Sequence, residues 1–324
     1  MPTFLIFEST TTGRVMYSQS GKIFIFLVII ATTTMAKEPI NKLWDFNDPK
    51  LSESRFRGRL ADEEKENAPL VERMEILTQV ARAEGLQQKF DEAHKTLDTV
   101  EATLASLNST YLDTRYYLER GRAFNSSGKK EEAKQEFLKA IESGKKGGHD
   151  YYTIDGIHMM AVADEPAKQL DWTELGIAMA EASSEDRAKL WLGTFYNNSG
   201  WTYFGMKEYQ KALDLFIKNE KFAESRNNKS DVQIAKWCQA KMYRFLKQLD
   251  TSLSIQRELE KAMQDKTMDE DGYVYEEIAE CLLAQGKAND AKPYFRRAYD
   301  LLSKDIWLQK DEKPRLERME ELSK

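Results

Sequence analysis

The sequence predicts an all-α solenoid of stacked helical hairpins, and three observations carry the prediction. From Asn197 to Glu220, residue spacing spells two short helices. Gly200 and Ala212 are small where the two backbones would meet, and Tyr203, Tyr209 and Phe216 fill the space beside that contact. The signature then recurs: from the small residue of each second helix, Ala93 to Ala133 is 40 residues, Ala133 to Ala212 is 79, Ala212 to Ser252 is 40 and Ser252 to Ala291 is 39. The long interval is two periods, so one hairpin is hidden inside it. Finally, 31% charged and 41% apolar residues with 7 prolines suit a helical protein with a real core and argue against disorder. A single hairpin cannot bury its apolar face alone, so a stack of about six is required.

Taken in order, residues 1–36 hold the one strongly apolar run, Ile23 to Ala31, preceded by Lys22 and followed by small residues to Ala36. Two readings stand: a signal peptide cleaved after Ala36, giving an exported or periplasmic protein, or a misassigned leader ahead of a cytoplasmic start at Met35. The run is too short for a comfortable membrane span. Residues 37–68 read as an N-terminal cap, in which Asp48-Pro49 opens a helix with Leu51, Phe56 and Leu60 on one face.

The array proper covers residues 69–304. Its first hairpin, Pro69 to Leu107, has Leu77, Val80 and Ala81, then Phe90, Ala93 and Leu97. The second has Tyr117, Gly121 and Phe124, then Ala133, Phe137 and Ala140, and stops in the glycines from Gly144 to Gly148. The hidden hairpin takes Tyr152 to Ala163 and Trp172 to Ser183 around Asp164-Glu165-Pro166. The fifth spans Val232 to Met263, and the sixth carries Tyr275, Ala279, Leu282, Ala291, Phe295 and Ala298. Residues 305–324 supply a C-terminal cap in which Pro314 starts a helix through Leu316, Met319 and Leu322.

Tyr196, Ser199, Gly200 and Tyr203, followed by Ala212 and Phe216, resemble the W-x2-L-G-x2-Y and A-x3-F pattern of a tetratricopeptide (TPR) unit. Residues 43–60, 77–99, 117–128, 196–216 and 272–307 together resemble a family of bacterial tetratricopeptide repeat proteins that carry no assigned activity. What the resemblance implies is fold. The hydrophobic leader departs from it, which bears on localisation. Four N-x-[ST] sequons, at Asn108, Asn125, Asn197 and Asn228, read as chance, because glycans at Asn125 or Asn197 would obstruct the stacking of first helices.

The inventory of chemistry is thin. A formal charge of −6 without a basic cluster gives no footprint for nucleic acid. Cys238 and Cys281 lack metal-ligand spacing, and His94, His149 and His158 form no cluster. Gly128-Lys129 and Gly144-Lys145 lack the earlier glycine of a P-loop. Aligned on Gly272, a calcium loop would need carboxylates at Thr267 and Ile278, so the acids from Asp265 to Glu277 read as helix-capping. No catalytic residue, metal or cofactor is expected.

What remains is a surface. The first helices of successive repeats line the inner side of such an array. Equivalent places there give Arg115, Arg122 and Asn125, then His158, then Asn197 and Trp201, then Trp237, Lys241 and Arg244, then Tyr273, Glu276 and Glu280. A basic and aromatic stripe of this kind suits a peptide, with cations for a carboxylate, Asn for backbone and Trp or Tyr as anchors. The expected function is a non-enzymatic protein-interaction scaffold binding a peptide or partner protein in this groove. A structural or assembly subunit of a bacterial envelope complex is the alternative.

Overall fold

The structure, a computed structural model, describes residues 38–324, so both readings of the leader lie outside the described residues. The chain divides into two units. In the first, Met1–Lys42, the described residues form a single turn in which the Lys42 N–H donates to the Pro39 carbonyl at 2.9 Å. The second, Leu43–Lys324, contains every α-helix among the described residues.

An entry helix, α1 (Pro49–Lys65), precedes six antiparallel hairpins: α2 (Leu70–Leu86) with α3 (Phe90–Leu107), α4 (Thr110–Ser126) with α5 (Lys130–Gly147), and α6 (Asp150–Ala163) with α7 (Pro166–Ala182). Then come α8 (Trp191–Gly205) with α9 (Tyr209–Ser225), α10 (Lys229–Phe245) with α11 (Leu249–Gln264), and α12 (Gly272–Ala284) with α13 (Ala288–Leu302). The short α14 (Ile306–Asp311) and α15 (Lys313–Leu322) close the end, α15 lying on α13. Helices of 17 and 18 residues, as in α2 and α3, account for a period near 40.

The core repeats one device. Leu97, Phe137, Phe216 and Phe295 occupy equivalent places on second helices and are fully or almost fully buried, each opposite a small residue of the preceding first helix. A Cβ added at Gly121 would lie 2.4 Å from the Phe137 ring, and one added at Gly200 would lie 2.6 Å from the Phe216 ring. Neither glycine tolerates a side chain unless the ring moves. The tight turn inside a hairpin repeats as well. Gln88, Gly128, Lys207, Lys247 and Gly286 all take a left-handed backbone, φ between 63° and 84°. In each turn the next residue's N–H reaches back to the helix, as from Lys89 to the Glu84 carbonyl at 3.0 Å and from Glu208 to Tyr203 at 2.9 Å.

The third hairpin departs from this plan. Its inner turn has Asp164 at φ −82° and Glu165 at φ −64°, neither left-handed, and α7 begins at Pro166 rather than near Trp172 because proline suits the first helical turn. Its small residue and ring exchange helices: a Cβ at Gly176 of α7 would lie 2.2 Å from Phe195 of α8.

The ends are covered. Asp48 accepts from the Leu51 N–H at 2.9 Å and caps α1, whose Phe56 is fully buried against the Trp44 ring. Trp44 stacks on Phe46 and donates its indole N–H to Gln79 of α2 at 3.1 Å.

Candidate binding site on the inner helix face

Successive first helices touch one another, α2 with α4, α4 with α6, α6 with α8 and α10 with α12, whereas successive second helices do not approach comparably. The first-helix side is therefore the inner side of the array. Ion pairs join these helices across repeats, between residues 33 to 40 apart in sequence. Arg115 lies 3.9 Å from Glu75 and 4.6 Å over the Tyr152 ring; Arg82 meets Glu119 at 3.7 Å; Arg122 bonds Asp155 at 2.5 Å and Glu119 at 2.8 Å. Farther on, Lys241 and Arg244 converge on Glu277 at 2.9 and 2.6 Å, while Arg315 and Arg318 of α15 hold Glu276 and Glu280.

Glu119, Asp155, Glu276 and Glu277 are deeply buried, Glu277 at 1% exposure, while Glu75 and Glu280 are half-buried. Burial pushes the Asp155 carboxyl up, but Arg122 and Arg82 pull harder and leave it below the usual carboxylate range. Glu277 is set the same way, burial being overcome by Arg244 and Lys241. The four cations expected to meet a ligand thus already hold protein carboxylates.

The ladder of ion pairs is interrupted at α8, which carries no charged residue. Among the described residues no ion pair joins it to α6 or α10. Polar and aromatic contacts take over. Asn198 is exposed and its amide lies 3.5 Å from His158 Nε2; the His158 ring packs 5.0 Å from Trp191. Burial, with Arg122 nearby, lowers the His158 pKa against the pull of Asp155. Trp201, Trp237 and Tyr273 form a row with 5.9 Å between successive ring centroids. All three are half-buried. Trp237 donates its indole N–H to the Tyr273 carbonyl at 3.1 Å, whereas the Trp201 N–H has no acceptor among the described residues.

Two clefts open along this stretch. One, about 430 Å³, lies between α8, the end of α9 and α10, and is lined by Thr194, Asn197, Phe222, Arg226 and Ile234 among others. The other, about 710 Å³, lies between α10, the loop before α12 and the end of α13, and includes Trp237 and Tyr273. Ile234, 50% exposed, lines both and makes them neighbours. Of the residues expected from the sequence, Asn197, Trp201, Trp237 and Tyr273 thus come together around α8 to α12. Lys241 sits 5.0 Å over the Trp237 ring but is engaged by Glu277. Arg115, Arg122 and Asn125 sit on α4, apart from this group.

Residues 114–143, nearly all of the α4–α5 hairpin, match the family model described as a tetratricopeptide repeat. One hairpin thus carries the tetratricopeptide repeat pattern, and the array as a whole is a tetratricopeptide-like helical solenoid. No curated protein matches the chain. In structure it is similar to the signal transduction ATPase with numerous domains from Pyrococcus horikoshii, a protein with a tetratricopeptide repeat sensor. The two are 16% identical over 83% of this chain and 41% of that one, with a TM-score of 0.65. The chain thus spans about two fifths of that protein's length. It is also similar to the apo form of RapI, at 11% identity over 82% of this chain and 77% of that one, with a TM-score of 0.64. At such identities the likeness is one of fold.

Sequence reasoning about the inner groove missed the half-buried acceptor Glu75 and the buried acceptors Glu119, Asp155 and Glu277, and it missed Ile234. Complementary charges one repeat apart were the available signal for the acceptors. Nothing in the α10 sequence singles out Ile234, because its exposure depends on where the neighbouring hairpins leave a gap. Among the described residues no helix is long and apolar enough to cross a membrane, and no group of His, Cys, Asp and Glu is arranged to hold a metal.

Proposed function

We propose that the protein is a non-enzymatic scaffold that binds an extended peptide, or an extended segment of a partner protein, along the inner face from α8 to α12. The observation that carries this reading is the interruption of the ion-pair ladder at α8. Elsewhere the inner-face charges are committed to one another, but here Asn197, Asn198 and the Trp201 N–H retain hydrogen-bonding capacity beside exposed apolar surface. Asn amides suit peptide backbone, whose N–H and C=O groups both need partners once water is displaced. The row from Trp201 to Tyr273 and the exposed Ile234 offer anchoring area at low entropic cost, since aromatic side chains have few rotamers to lose.

The test is selection of a heptapeptide display library on the full chain, followed by titration of selected peptides using tryptophan fluorescence. Saturable binding is expected, weakened at least tenfold by Ile234→Asp with the helical circular dichroism unchanged. Selected peptides indifferent to Ile234→Asp and to Asn198→Ala would reject the α8–α12 face as the site.

A further inference from the structure

We propose that the cleft between α10 and α12 receives a lysine or arginine side chain of the bound peptide, its alkyl stem on the apolar wall and its charge toward Asp269 and Asp271. This rests on the peptide-binding reading above and adds the chemistry of the ligand.

At about 710 Å³ the cleft is ample for one long side chain and part of the adjoining backbone. Its walls are of two kinds. Ile234, Trp237, Met268 and Leu301 supply apolar and aromatic surface, which suits the methylene stem of a basic residue. Every charged residue in the lining is a carboxylate, namely Asp269, Glu270, Asp271 and Asp305, and no Lys or Arg is among them.

These acids are not equally committed. Glu270 is gripped by Arg297 at 2.8 and 2.5 Å, which cancels its charge locally. Asp305 accepts from the Leu308 N–H at 3.4 Å. Asp271 caps α12 by accepting from the Tyr273 N–H at 2.8 Å, yet it forms no ion pair among the described residues, and burial pushes its carboxyl above the usual range. Asp269 is exposed and makes no ion pair among the described residues. A cation entering between Asp269 and Asp271 would meet one exposed carboxylate and compensate one that is partly desolvated.

The two rings in the lining are already attractive to cations within the protein: Lys241 stands 5.0 Å over Trp237 and Arg315 stands 5.2 Å over Tyr273. An acidic side chain or a terminal carboxylate would meet like charge in the lining, where no Lys or Arg stands. The inner-face cations expected to hold such a group instead close on Glu277.

The experiment uses the full chain and the heptapeptide library, with Asp269→Asn/Asp271→Asn as the comparison protein. Asn caps a helix as well as Asp, so the double variant keeps the start of α12. Selected peptides are expected to share Lys or Arg at one fixed position beside an apolar residue. The double variant should bind such a lysine peptide about tenfold more weakly, and should not distinguish itself from the native protein toward the same peptide with Lys→Met. Peptides that bind at Ile234 with no fixed basic position, or with affinity unchanged by the double variant, would overturn the cation assignment and leave the groove intact. Peptides all indifferent to Ile234→Asp would overturn both.

Discussion

The fourth and fifth hairpins stand side by side and fill the same positions with opposite chemistry. In the fourth, Ala212 and Phe216 of α9 face a first helix that offers Gly200, and the Phe216 ring occupies the space a Cβ would need. In the fifth, the equivalent residues of α11 are Ser252 and Gln256, and the first-helix residue is Ala240. Ser252 is satisfied, donating to the Ala240 carbonyl at 2.7 Å and lying 3.0 Å from the Cys281 sulfur. Gln256 is not: it is 0% exposed, and neither its amide nitrogen nor its amide oxygen has a hydrogen-bond partner among the described residues. The same buried position is thus filled by a ring in one hairpin and by a polar amide in the next.

Breaking the fourth hairpin should give the largest effect. Phe216→Ala removes a fully buried ring and should cost about 3–5 kcal/mol in chemical denaturation. A loss near 1 kcal/mol would mean that Trp201 and its neighbours collapse into the space. Gly200→Ala should cost about 1–3 kcal/mol, because the added methyl must displace the Phe216 ring; an unchanged midpoint would show that the ring turns aside freely.

In the fifth hairpin the sign should reverse. Gln256→Met keeps the length of the side chain and removes two unpartnered polar atoms, so it should raise stability by about 1–3 kcal/mol. Destabilisation by that variant would locate a buried water on the amide. Acid should affect the joint between the fifth and sixth hairpins through Glu277. Its folded pKa lies below the unfolded value, so its contribution is complete above the ordinary carboxylate range of about 4 and is lost as pH falls through the depressed value. Melting temperatures of the native protein should fall in that window, and Glu277→Gln should flatten the fall; an identical acid profile in the variant would assign it to other carboxylates. The smallest effect is expected at the turns, where Lys207→Gly and Lys247→Gly relieve a left-handed backbone but add unfolded-state entropy, for a net change within about 1 kcal/mol.

Most of the fold was legible because small residues at fixed spacing report backbone approach directly. The hidden third hairpin was harder, since its glycine sits on the second helix and its ring on the next hairpin, which breaks the pattern being counted. The tight turns were half-legible: Gly128 and Gly286 announce a left-handed residue, whereas Gln88, Lys207 and Lys247 do the same work without the chemical signal. At the site, Trp201, Trp237 and Tyr273 are brought together as their equivalent places suggested. Arg115, Arg122, Lys241 and Arg244 are on the expected helices yet turned to protein acids. Which carboxylate a long cation reaches depends on how adjacent hairpins are rotated, and that rotation is not written in either helix alone.

The missing charges of α8 have a mechanical consequence. The ion pairs brace the array from α2 to α6 and again from α10 to α15, and α8 and α10 are the consecutive first helices that approach least closely. The inner face from α2 to α15 is thus two ion-paired stretches on either side of a ring-lined gap, with α9 packed on α10 behind it, and a segment laid from α8 to α12 would span that gap like a splint.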